Sequence, residues 1–214
     1  FLSCYAVQSQ HHKTVRAESG SPVNIPTGRI NKIYVQPLPI ENQLKSGQAQ
    51  KANFKVTYID FPAEAQKAFE YAISLWEEQI TSNVPIKVIA KWGTVQMNAL
   101  ALSRPSSFYL NSKGVPLTNL YYPVALAEKF ANENINSDEP DIICSFNKNH
   151  SWYFGTDGNT PSTQYDFVSA VLHEIVHGLG FSGFYNDNNG SGYISTTNNL
   201  PSIYDYYIFN STNQ

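Results

Sequence analysis

The stretch Phe167-Val168-Ser169-Ala170-Val171-Leu172-His173-Glu174-Ile175-Val176-His177 decides how this chain is read. Phe167, Val168, Ala170, Val171, Leu172, Ile175 and Val176 form a strongly apolar run with the spacing of a buried helix. Within it stands H-E-x-x-H. Residues four apart lie on one helix face, about 5–6 Å apart at Cβ. The neutral imidazoles of His173 and His177 can therefore reach one metal ion at roughly 2.0–2.1 Å. Glu174 lies about 100° round the helix from His173, beside such an ion rather than on it. There a carboxylate can take a proton from a metal-bound water. Two His and a Glu are costly in an apolar helix unless something pairs them, and zinc is the partner this spacing fits.

The residues that follow extend the pattern. His173 to Gly183 reads HEIVHGLGFSG, and as far as Gly180 it resembles the metzincin zinc-endopeptidase signature H-E-x-x-H-x-x-G-x-x-H/D. In that family the glycine lets the chain leave the helix sharply, so that a third ligand three residues later returns to the metal. Gly180 suits the role, because glycine takes positive φ at a helix C-terminus without penalty. The third-ligand position is Gly183, which has no side chain to offer. The resemblance implies a secreted zinc-dependent endopeptidase with His173 and His177 as ligands, Glu174 as general base and a protein or peptide as substrate. It also implies a tyrosine that steadies the oxyanion, for which Tyr204, Tyr206 and Tyr207 are available. The alternative raised by Gly183 is a degenerate zinc-containing domain that binds a partner without turnover.

Catalytic zinc usually has three protein ligands and one open position for water. After His177 the chain has no further His or Glu, and its only carboxylates are Asp187 and Asp205. Asp187 lies in Asn186-Asp187-Asn188-Asn189-Gly190-Ser191-Gly192, a polar, glycine-rich stretch that reads as a flexible surface loop. Asp205 lies in the aromatic, apolar segment Ile203-Tyr204-Asp205-Tyr206-Tyr207-Ile208. A carboxylate in such a segment needs a partner, and a metal or a backbone cap would both serve. Asp205 is the first candidate for third ligand and Asp187 the second. A capping role for Asp205, and a ligand from solvent or outside the chain, stay open. An Asp ligand well past the helix resembles the aspzincin variant of the plan, at a different spacing.

With 214 residues, one domain is expected, large enough to bury most of its surface. A net charge of −3 and 14% charged residues leave no basic footprint for nucleic acid or an anionic membrane. No apolar run reaches the roughly 18 residues needed to span a bilayer, and a monomer is expected. Phe1 to Gln10 reads as the tail of a secretory signal peptide, with Val7 and Ser9 in the −3 and −1 places of a cleavage site; an ordinary N-terminal strand is the other reading. Cys4 would leave with it, so Cys144, in the apolar run from Asp141 to Phe146, is expected as a buried hydrophobe. Residues 11–50 read as a leader or pro-like segment with one strand at Ile33-Tyr34-Val35, in which His11 and His12 could block a zinc ion. Residues 51–214 form the catalytic domain, expected to be truncated at its C-terminus. The resemblance implies a methionine turn beyond the third ligand, whereas the only Met is Met97, upstream of the helix.

Between these segments the pattern predicts an α+β fold. Phe54-Lys55-Val56-Thr57-Tyr58 alternates as a strand should. Pro62 marks a helix start, and Ala65, Phe69, Ala72, Trp76 and Ile80 follow at helical spacing. Ile86, Val88, Ala90 and Trp92 alternate with Lys87 and Lys91 in a second strand. Short strands around Leu100 and Phe108-Tyr109-Leu110, a short helix from Val124 to Phe130, a strand at Ile142 and a polar loop over residues 147–164 precede the zinc helix. That order is similar to the N-terminal lobe of metzincins over about residues 54–180. It implies a zincin-like fold: a mixed twisted sheet, a long backing helix and an active-site helix carrying H-E-x-x-H. In such a fold an edge strand, expected within residues 100–112, pairs with an extended peptide by β-augmentation.

Overall fold

A computed structural model describes residues 14–15, 50–95 and 99–208. The expected signal remnant, most of the 11–50 leader with its strand at 33–35, His11, His12 and Met97 lie outside the described residues.

A four-stranded mixed sheet organises the domain. Strands β2 (Phe54–Ile59), β3 (Ile86–Gly93) and β7 (Ile142–Asn147) run parallel, and β4 (Ala101–Pro105) closes one edge antiparallel to β7, in the order β2-β3-β7-β4. Period-two alternation fixes the register. Val56 lies beside Val88 and Val88 beside Ile142, so one face is apolar, while Lys55 lies beside Lys87 on the other. The antiparallel edge β4 falls within the stretch expected to hold an edge strand. Two short strands, β5 (Phe108–Leu110) and β6 (Tyr121–Pro123), form a separate antiparallel sheet with β1 (Thr14–Val15).

Helix α1 (Ala63–Gln79) and helix α3 (Phe167–Leu179) share a hydrophobic core with the sheet. Helix α1 turns Ala65, Ala68, Phe69, Ala72 and Ile73 inward, so its buried stripe sits slightly to one side of the expected one, with Trp76 only partly buried. Phe167 anchors the start of α3 in an aromatic cluster, its ring 5.0 Å from Phe146, 5.2 Å from Phe154 and 5.3 Å from Trp152. Helix α2 (Val124–Ala131) ends at Asn132, whose φ of 56° forms a left-handed cap. With the single-turn helix α4 (Ile203–Tyr206), the described residues contain four helices. The architecture is α+β with a mixed sheet.

One expectation is corrected. Residues 186–192 are not a loose loop, because β8 (Tyr185–Asn188) and β9 (Ser191–Ile194) pair as a hairpin. Asn189 and Gly190 make its two-residue turn with φ of 53° and 86°, the backbone that an Asn-Gly pair favours. Cys144, by contrast, is buried and free as expected.

Candidate metal centre

Helix α3 begins at Asp166, whose side chain accepts a hydrogen bond from the Ser169 backbone N–H at 2.6 Å. Its buried stripe is Phe167, Ala170, Val171, Glu174, Ile175 and Gly178, at the three- and four-residue steps that pack a helix on a sheet. Gly178 lets the helix approach β7 closely, since a Cβ there would overlap the Ile142 side chain, with Cδ1 at 2.9 Å. Gly180 ends the helix with φ of 128° as its N–H bonds back to Val176 at 3.1 Å, and a Cβ there would crowd Pro123.

The two imidazoles project from the last turns of α3, His173 exposed and His177 half-buried. Their Nε2 atoms face each other at 2.8 Å. Two nitrogens bound to one tetrahedral ion at roughly 2.0–2.1 Å stand roughly 3.3 Å apart, so an opening of about half an ångström would suit zinc. His177 is oriented from behind: its Nδ1 lies 2.7 Å from the Phe181 carbonyl oxygen. A carbonyl can only accept, so Nδ1 carries the hydrogen and the Nε2 lone pair of the neutral ring faces outward. Partial desolvation of its ring against the helix, and then the neighbouring His177, hold the His173 pKa below its usual value.

Glu174, between them in sequence, is fully buried, and neither carboxylate oxygen has a hydrogen-bond partner. Burial alone pushes its pKa up to about 8. A buried acid in this state costs stability unless something compensates it, and a cation held by the adjacent imidazoles is a compensation that these residues fit.

Asp205 is placed differently from a ligand. Its Oδ2 accepts from the backbone N–H of Phe184 and of Ser202, each at 2.8 Å, and its Oδ1 accepts from Tyr185 N–H at 3.2 Å. Ser202 returns the bond, its Oγ accepting from Asp205 N–H at 3.1 Å, which completes a capping box on α4. The carboxylate therefore pins the chain leaving α3 to the start of α4. Gly183 belongs to this clamp, since a Cβ there would overlap Asp205 Oδ1 and lie 2.8 Å from Cγ. The other candidate, Asp187, accepts from Gly190 N–H at the hairpin turn. Among the described residues no third His, Cys, Asp or Glu joins the two imidazoles in a metal-holding group. Of the tyrosines, Tyr204 is in ring contact with Phe181 at 5.5 Å, while Tyr206 and Tyr207 stack on each other at 5.1 Å.

Sequence reasoning missed the Phe181 carbonyl, a backbone group that no residue type announces. It raised a cap as the alternative role of Asp205 but did not name its partner, although the Ser202-x-x-Asp205 spacing displays it. No helix among the described residues is long and apolar enough to cross a membrane.

No curated protein and no solved structure matches the chain. A family model described as SPBPB7E8-like matches residues 86–202, which run from β3 through all three motif residues and stop short of Asp205. By that match, which covers more than half of its length, the chain belongs to the SPBPB7E8-like family.

Proposed function

We propose that this protein is a secreted zinc-dependent endopeptidase with a zincin-like catalytic domain. The observation that carries the reading is the grouping of two facing imidazoles and one buried, unpartnered acid within two turns of one helix. A purely structural metal site has no use for that acid.

His173 Nε2 and His177 Nε2 would hold the metal, with the Phe181 carbonyl fixing the His177 tautomer. Zinc, when bound, lowers the pKa of a coordinated water from 15.7 towards about 7 and polarises the scissile carbonyl. With the metal held there, Glu174 would take the water proton on a carboxylate oxygen and deliver it to the leaving amine, a contribution of typically 10²–10⁴-fold. Its pKa of about 8 in the absence of a cation falls when positive charge is placed nearby, so the base is ionised where it is needed. Among the described residues the outer edge of β4 has no partner strand, and it would offer backbone groups to an extended peptide. Tyr204, in contact with Phe181, is the tyrosine best situated to donate to an oxyanion.

A second reading has a specific observation in its favour. The place of a third ligand is taken by Gly183, packed against a carboxylate that serves the backbone. A degenerate domain that retains zinc without turnover fits that feature.

One experiment separates the readings. The chain is purified without chelators, its zinc content measured by mass spectrometry, and its hydrolysis of an unfolded protein such as casein followed before and after metal removal. Close to one zinc per chain, activity abolished by chelation and activity restored by added zinc are expected. Zinc without hydrolysis would favour the partner-binding domain, and no zinc would end both readings. Metal retention should fall at acid pH, because both imidazoles must be unprotonated to ligate.

A further inference from the structure

Ser103 lies in the edge strand β4, directly opposite Cys144 of β7, on the buried face of the sheet. It is 4% exposed, and its hydroxyl has no hydrogen-bond partner. Helix α3 packs against both β4 and β7. Glu174 is near enough to Cys144 for its charge to raise the thiol pKa, in addition to the larger effect of burial. Phe167 against Phe146 at one end and Gly178 against Ile142 at the other fix how α3 lies along β7, which brings buried Glu174 over the level of Cys144 and Ser103, in a layer otherwise made of groups such as Ala90, Ala101, Phe146, Val171 and Ile175. The thiol is already engaged, donating to the Ile89 carbonyl at 3.6 Å. The hydroxyl and the carboxylate are left over, and no hydrogen bond joins them directly.

Each of those groups is unfavourable in an apolar layer while it lacks a partner. A single water with two to four polar neighbours satisfies both at once. We infer that one buried water bridges Ser103 Oγ and the Glu174 carboxylate, making Ser103 a positioning residue for the base. The Ser103 hydroxyl donates to the water, and the water donates to a Glu174 oxygen. The bridge stands on burial, strand register and the packing of α3 on β4 and β7, while its role in catalysis rests on the proposed function. Through it the edge strand β4 would set the rotamer of the base.

The test is a thermal double-mutant cycle on the metal-free full chain, with Ser103→Ala and Glu174→Met made singly and together. Ser103→Ala should lower Tm by about 2–4 °C in the wild-type background. In the Glu174→Met background it should shift Tm by less than about 1 °C, because the group it serves is gone. Equal shifts in the two backgrounds would overturn the bridge. Should Ser103→Ala fail to fold, a crystal structure of the native chain decides instead. A water within about 2.6–3.2 Å of both Ser103 Oγ and a Glu174 oxygen is expected, and a dry layer would overturn it. On casein, Ser103→Ala should lower kcat by roughly 3- to 10-fold at unchanged KM, a fraction of the general-base contribution, and Ser103→Thr should restore it. A coupled Tm with unchanged kcat would overturn the positioning role. Full turnover in Glu174→Gln would instead refute the base assignment, leaving the thermal cycle to decide the bridge.

Discussion

Glu174 and Glu128 are both glutamates buried on helices, 0% and 2% exposed, yet their surroundings differ in kind. Glu128, on α2, accepts from the Ile135 backbone N–H at 3.0 Å. It sits in a network with Asp141, whose Oδ2 accepts from Lys87 N–H and whose Oδ1 accepts from the Asn136 amide, both at 2.7 Å. The Lys87 ammonium closes the network onto Asn136 Oδ1 at 2.6 Å. These acids hold the 132–141 loop against the sheet, and every polar group named has a use within the fold. Glu174 has none. It is the one carboxylate among the described residues with both oxygens buried and unpartnered. Folding gains nothing from such a group, so a use outside the fold is the physical reason to keep it.

That contrast can be broken most directly at Glu174. Glu174→Gln should retain zinc and fold while turnover falls by roughly 10²–10⁴-fold. Its Tm should hold or rise, because a neutral amide replaces an acid whose charged form burial opposes. Steady-state kinetics, metal analysis and thermal unfolding on one preparation check all three outcomes. Loss of zinc would make Glu174 a ligand, and a marked loss of stability would make it a structural acid like Glu128.

Asp205 offers a third setting, a carboxylate that serves the backbone at 2.8–3.2 Å. Asp205→Ala leaves three N–H groups without their acceptor, some of them open to water. The expected loss is about 2–3 kcal/mol, or a Tm lower by roughly 5–10 °C, with zinc content unchanged. Zinc lost from a variant that still folds would restore Asp205 as the third ligand.

How far the sequence could be read follows from what each feature depends on. The apolar period of Phe167, Val171 and Ile175 places α3 and both imidazoles, since helical spacing alone brings His173 and His177 together. The strands 54–59, 86–93 and 142–147 were equally legible, because alternation in a one-sided sheet is local information. Asp205 is reached as a ligand only by elimination, with a backbone cap as its alternative, and its oxygens are engaged by the N–H groups of Phe184, Tyr185 and Ser202. The Ser202-x-x-Asp205 spacing favours the cap, and Asn189-Gly190 favours the hairpin. Two features could not be read at all. Phe181 orients His177 through a backbone carbonyl, and Ser103 meets the Glu174 layer only because the register of β4 on β7 sets it opposite Cys144.

The smallest effect sharpens the comparison from the side of Glu128. Burial first, and then the nearby Asp141, push its pKa up to about 7. Burial also raises Asp141, partly offset by its bonds to Lys87 N–H and to Asn136. In the unfolded chain a glutamate titrates near 4.3, so between that pH and about 7 the folded state holds a proton that the unfolded state has lost. Stability must then fall as pH rises through this window, and level off above it. The drop should be on the order of 1–2 kcal/mol, a full shift of this size being moderated by the hydrogen bonds and by screening. Glu128→Gln removes the titrating group, so the slope of stability against pH between about 5 and 7.5 should flatten, while zinc content and casein hydrolysis at a fixed pH stay as in the wild type. Urea melts at half-unit pH steps measure it. An undiminished slope in Glu128→Gln would assign the titration to another buried acid, with Asp141 and Glu174 the first to examine.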